Sequence, residues 1–364
     1  MRQVVLALGL VVALVVPLGA AQAAELERWA EVDVAPGNIT VSERGHVLIS
    51  LHQFFEPNVR VAEVAADGRL TPFPNPLWAR GVSQAGEGVD TVLGIQAAGD
   101  LVWMLDNGMR GGQTPRLVAW DLERDALAHA IELPPPATVE GSFVNDLAVD
   151  VEAGYVYIAD PAGGSDAALI AVEIETGEAR RLLQGHASVV PEDVDLLIEG
   201  EPVQVRRPDG SLQRPRVGVN PIALDADGEW VYFGPMHGLS LYRVRAADLR
   251  DTGLDDEALA ERVERYADKP ISDGISIDTA GNIYVTDLAG SAIGVIDAQR
   301  RYRVLAADAR LLWPDALSYA PDGHMYVVAN QLHRSARLNA GEDVSEPPFA
   351  IFRFRPLAEG MVGR

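Results

Sequence analysis

Six places in the chain share one local setting. A polar side chain opens a short apolar run, a glycine-bearing turn follows, and a second β-rich run ends on another polar residue. The opening residues are Asn38, Thr91, Asn145, Asn220, Asp273 and Asp315; the closing ones are His52, Asp106, Asp160, Pro235 with His237 nearby, Asp287 and Asn330. Every member of the first set carries a side-chain oxygen, and so do four of the second. Gathered at one place, such oxygens suit a hard cation such as Ca²⁺, which takes roughly six to eight oxygen ligands. They would equally orient a small organic ligand. A lone Asn or Asp at a strand start also caps its own turn through the backbone, and only convergence separates the readings. No H-E-x-x-H, G-x-S-x-G, Walker loop or G-x-G-x-x-G after a strand is present. The absence of cysteine excludes a thiol nucleophile and a zinc–thiolate site. Of the seven histidines, only His52 and His237 fall near the closing positions.

The elements that must carry these residues form a repeat. Ile39–Val41 and Val47–Ile49 flank Gly45, and the same pattern recurs around Gly99, Gly154, Gly228, Gly281 and Gly323. Gly with Asp or Asn nearby supplies the positive φ that a tight hairpin needs. Further strand candidates follow each pair, for example Leu117–Asp121 and Leu169–Ile174. Four short strands per ~40–55 residues, repeated six times, predict an all-β, six-bladed β-propeller. In that fold the inner strands begin around a central channel, and the loops after the second strands open on the same face. Opening and closing residues then form two rings about one channel. The ligand-binding candidates are accordingly His52, Asp106, Asn145, Asp160, His237, Asp287 and Asn330.

Uneven spacing locates the insertions. His186–Val217 lies between the third and fourth units and must cross the channel mouth, which makes it a candidate lid. Leu254–Val263 has helical spacing, and Gln331–Pro348 interrupts the sixth unit. That last unit runs short of strands, while Leu26–Val34 precedes the first as a spare. Pairing Leu26–Val34 with Phe349–Phe354 would complete the final blade and remove an exposed edge.

Composition narrows the partners. Arg2, an apolar run from Val4 to Val16 and the small residues Ala20–Ala24 read as a signal peptide over residues 1–24, leaving one domain over 25–364. Export to the periplasm or the medium follows, with no membrane association after cleavage. A net charge of −23 argues against nucleic acid and against anionic membranes. Of 30 basic residues only Lys269 is lysine.

Several stretches together resemble the yellow / major royal jelly protein family in a bacterial secreted form. They are Ser142–Asp150, His186–Pro191, Tyr232–Met236 leading to Leu241–Val244, Ser272–Ile275 with Gly281–Asp287, and Trp313–Leu317. The resemblance spans about Trp29 to Pro356. It implies a six-bladed propeller outside the cytoplasm and a small organic ligand in the channel, since relatives include ligand binders, nutrient proteins and pigment-pathway proteins. More distantly the chain is similar to the gluconolactonase–regucalcin family, whose propellers hold one divalent metal through a Glu, two Asn and an Asp. This likeness implies a metal set of Asn38, Asn145, Asn220 and Asp273, with Asn38 where that family has Glu and Phe143 where it has a substrate-contacting Arg. Three functions follow: a ligand-binding propeller, a metal-dependent lactonase with Asp273 as the proton-accepting catalytic residue, or an extracellular interaction protein. The metal would polarise a carbonyl and lower the pKa of bound water.

Overall fold

The computed structural model describes residues 24–364. Residues 1–23 of the expected signal peptide lie outside the described residues. The chain is a six-bladed β-propeller, each blade a four-stranded antiparallel sheet. Blade 1 runs Pro36–Val41, Val47–Leu51, Val61–Val64 and Leu70–Pro72, inner strand first. Blade 2 runs Val92–Ala98, Leu101–Asp106, Arg116–Asp121 and Ala126–Glu132. Blade 3 comprises Asp146–Asp150, Tyr155–Asp160, Ala168–Glu173 and Ala179–Leu182, and blade 4 Val219–Leu224, Trp230–Pro235, Ser240–Arg245 and Glu264–Asp268. Blade 5 holds Ile275–Ile277, Ile283–Asp287, Ala292–Ile296 and Tyr302–Ala307.

Blade 6 is built from both ends of the chain. Pro314–Tyr319, Met325–Ala329 and Phe349–Phe354 take Glu27–Val32 as their outermost strand. Val32 faces Phe349 and Glu27 faces Arg353, with a bulge between Arg28 and Ala30. The Arg353 guanidinium meets the Glu27 carboxylate at 2.9 Å, and Trp29 packs edge-on against Tyr326.

Why the inner strands read as apolar runs is clear from where they sit. Blades pack face to face, so the two inner strands are covered on both sides: Pro36–Val41 is buried except at Asn38 and every residue of the second strand, Val47–Leu51, is buried, whereas the outermost strand Ala126–Glu132 is largely exposed. Six apolar cores result, one at each junction between neighbouring blades.

The insertions differ in order. Residues 186–217 form two small hairpins, Leu197–Ile198 with Glu201–Pro202 and Val205–Arg206 with Leu212–Gln213. They touch the second insertion, where Gln204 bridges to Asn339 and Ala340 N–H donates to Gln204 O at 2.9 Å. A seventh apolar cluster, including Leu196, Ile198, Met236, Trp313 and Leu332, roots both insertions on the channel mouth. The helix expected over Leu254–Val263 is shorter, Asp256–Ala260, and begins where the Asp255 carboxylate accepts from Ala258 N–H at 2.9 Å. Among the described residues, no helix is long and apolar enough to cross a membrane.

Candidate functional site

The channel narrows to a polar floor where the inner strands begin. Asn38 Nδ2 donates to Asp146 Oδ1 at 3.0 Å, and Asn38 Oδ1 accepts from Ile39 N–H. Across the channel Asn145 Nδ2 donates to Asn220 Oδ1, and Asn220 Nδ2 donates to Asp273 Oδ1. The other oxygen of Asp273 accepts from the Trp313 indole N–H at 2.6 Å. Trp313 has φ +53°, a conformation uncommon for a bulky residue, and its hydrogen bond to Asp273 holds the ring at the floor. Asp315 completes the set and accepts from Asn330 Nδ2 at 2.7 Å. Gly274 lets blades 5 and 6 close up here, since a Cβ on it would stand 2.1 Å from the Asp315 carbonyl.

Above this floor opens a cavity of about 400 Å³. Its walls are mostly apolar: Phe54, Leu93, Phe143, Met236, Trp313 and Leu332. Phe54 and Phe143 sit 6.4 Å apart, ring to ring. The first insertion contributes Val205, Gln213 and Arg216, and the second Arg337 and Leu338, so both overhang the opening.

Three carboxyl groups in one channel cannot all ionise freely, because each is drawn away from bulk water and feels the others. Loss of water pushes Asp146 up to about 7, the charge of Asp273 adding to the effect. Asp273 is raised to about 6 by the same loss, against the Trp313 hydrogen bond and the charge of Lys269. Asp315 lies well above the ordinary carboxylate range, through loss of water and then the charges of Asp273 and Asp146. Lys269 itself is 3 % exposed. Its Nζ donates to the Gly238 and Pro270 carbonyls at 2.9 and 3.1 Å, and burial lowers it to about 7.

The candidates sort by position. Asn38, His52, Asn145, Asn220 and Asp273 line the cavity. His52 is neutral, pushed down to about 3 by burial, and its Nδ1 accepts from Phe54 N–H at 3.2 Å. Asn330 stands behind Asp315 and does not line the cavity. Asp106, Asp160 and Asp287 point into their own blades. Asp106 accepts from the Asp90, Thr91 and Gly108 N–H groups and pairs with Arg116. Asp160 accepts from Phe143 and Ala162 N–H and pairs with Arg181 at 2.7 Å. Asp287 takes Gly290 N–H and the Tyr302 hydroxyl. His237 is buried outside the cavity, where its Nδ1 accepts from Val217 N–H at the root of the first insertion. Asp146 is a floor residue that the count of one opening residue per unit passes over: it follows Asn145 directly, and both consecutive residues reach the channel.

Could the floor hold a cation? The heads of Asn145, Asn220 and Asp273 meet, and a half-turn of either carboxamide exchanges its nitrogen for its oxygen. That donor set, neutral oxygens with one carboxylate, fits a weakly held hard cation. Asn38, the expected fourth member, is instead engaged with Asp146. Among the described residues no group of three His, Asp or Glu side chains is arranged to hold an ion, so binding would rest on the carboxamides.

Comparison with solved structures shows the propeller widely shared. The chain aligns with a luciferin-regenerating enzyme at a TM-score of 0.56 and 12% identity, covering 93% of this chain and 98% of that one. A gluconolactonase from Xanthomonas campestris aligns at 0.54 and 12%, covering 92% and 91%. The calcium-binding protein regucalcin from Agrobacterium tumefaciens aligns at 0.54 and 14%, covering 92% and 98%. At such identities the likeness is one of fold. No curated protein matches the sequence. The profile of the major royal jelly protein family matches residues 95–354, from the inner strand of blade 2 to the third strand of blade 6, and the chain belongs to that family.

Proposed function

We propose that this propeller binds a small organic ligand in its channel, beneath the two insertions. The observation that carries this reading is the ~400 Å³ cavity with apolar, aromatic walls and a convergent polar floor. Its volume lies in the range of small-molecule sites, and so does its balance of apolar wall to few polar groups. The body of a ligand would lie between Phe54, Phe143 and Trp313, and its polar end would exchange hydrogen bonds with Asn145, Asn220 and Asp273. Export outside the cytoplasm fits a protein that meets its ligand there. A chemical-library melting screen tests this. A compound at 100 times its Kd stabilises the fold by about 2.7 kcal/mol. Hits must lose that effect in Phe143→Arg, which fills the cavity; hits that survive this substitution bind elsewhere and sink the reading.

A second reading puts a divalent cation, Ca²⁺ foremost, on Asn145, Asn220 and Asp273. The meeting of those three heads favours it, as do the gluconolactonase and regucalcin likenesses. A bound cation would polarise a carbonyl oxygen of a lactone. Burial raises Asp273, whereas a bound cation would draw it back down, leaving an ionised carboxylate beside the reacting group to accept a proton. Turnover of a lactone panel that EDTA abolishes would favour this reading; ligand binding indifferent to EDTA favours the first.

A further inference from the structure

At the end of the channel away from the insertions, residues 357–364 cross the propeller and touch all six blades. Thr279 N–H, after the inner strand of blade 5, donates to Glu359 O at 2.8 Å, and Tyr319 of blade 6 exchanges bonds with Gly363 and Arg364 at 2.9 and 2.7 Å. Thr40 of blade 1 donates its hydroxyl to Gly363 O at 2.9 Å. The Arg364 guanidinium reaches Val149 O of blade 3 and Asp225 O at the end of the blade 4 inner strand, both at 3.0 Å. Gly363, at φ +91°, lies so close to blade 2 that a Cβ would stand 2.1 Å from Ala97 O. Between this segment and the floor remains a chamber of about 40 Å³, sharing Asn38 and Asp146 with the cavity above and bounded below by Gly363 and Arg364.

We propose that Leu357–Arg364 is a plug that seals the rear of the channel and seats the Asn38–Asp146 floor, leaving the ligand cavity one entrance, past the insertions. Carbonyls at the ends of the Asp146–Asp150 and Val219–Leu224 inner strands would otherwise face water at an open pore, and Arg364 satisfies two of them. One guanidinium spans two blades because its planar fork offers several donors in fixed directions. The inference stands on the channel geometry alone, so it survives or fails independently of the ligand.

A thiol probe tests it in a chain that has no cysteine of its own. Ser276 is 1 % exposed, lines the lower chamber, and its hydroxyl has no hydrogen-bond partner, so Ser276→Cys disturbs little. Ala171→Cys, buried in the third strand of blade 3, reports general opening of the fold. The two thiols are labelled with methyl methanethiosulfonate in the intact chain, in a chain lacking residues 361–364, and in Gly363→Ala, which unseats the plug at full length. We expect labelling at position 276 to rise at least about tenfold in either plug variant while position 171 is unchanged. Rapid labelling of Ser276→Cys in the intact chain overturns the proposal, as do equal rates with and without the plug. Parallel acceleration at both positions also overturns it, since the segment would then be only a stabiliser of the fold. If the shortened chain does not fold, Gly363→Ala decides.

Discussion

Three carboxyl groups crowd the channel floor, each raised by loss of water, and this sets what single substitutions do. Asp273 is the carboxylate at the end of the chain of hydrogen bonds that runs from Asn145 through Asn220. Asp273→Asn should therefore abolish divalent binding, which with so few anionic ligands is expected at a Kd of roughly 10⁻⁴–10⁻³ M. Asn38→Glu replaces the donor to Asp146 with a second carboxyl, and should tighten binding because a cation relieves the repulsion between them. Calorimetry on the three proteins checks both; equal affinities would mean that these oxygens only cap turns. His52 makes a separate prediction. Its folded value of about 3 lies below the ordinary 6.5, so between those pH values the unfolded chain binds a proton that the folded chain does not. Stability then falls on acidification from pH 6.5 towards 3, by up to about 1.4 kcal/mol per unit. Asp146 works the other way: its raised value adds stability that is full below about pH 4 and lost as pH rises through 7. His52→Asn keeps an acceptor for Phe54 N–H and should flatten the acid limb of Tm against pH; an unchanged limb refutes the assignment. His237 and His333, each lowered to about 4 by burial, keep part of the slope.

At the scale of elements, the repeat announced the blades because inner strands buried on both sides must be apolar whatever the ligand. The site was less legible. Counting one polar residue per strand start found Asn38, Asn145, Asn220 and Asp273 but passed over Asp146, because nothing in a period of two says that adjacent residues both face the channel where it narrows. Asp106 and Asp160 sit at the strand ends where a second ring belongs, yet each gathers backbone N–H groups and an arginine. A carboxylate that rivets a loop and one that meets a ligand look the same in a string of letters. The first insertion was legible from its length, whereas its contact with the second was not, since Gln204 and Asn339 carry no mark of pairing. The outermost strand of blade 6 allows a sharper test. Ala30 and Val32 enter the core between blades 6 and 1, with Trp29 packed beside them. A chain starting at Ala35 should lose roughly 4 kcal/mol or more relative to one starting at Ala24, through lost burial and an opened edge. Equal melting temperatures would mean that Glu27–Val32 adds nothing to closure.

The whole molecule is a ring of six blade junctions carrying a strong negative charge, and its basic groups are almost all arginine. The one exception is Lys269, buried against two carbonyls between blades 4 and 5. Acylating reagents that seek free amines thus find, on the folded chain, only its α-amino group. A succinimidyl dye should attach once per native molecule and twice per unfolded one, so that dye stoichiometry counts open rings directly. An immobilisation surface that couples through amines would hold every molecule by the same end, presenting one uniform orientation to solution.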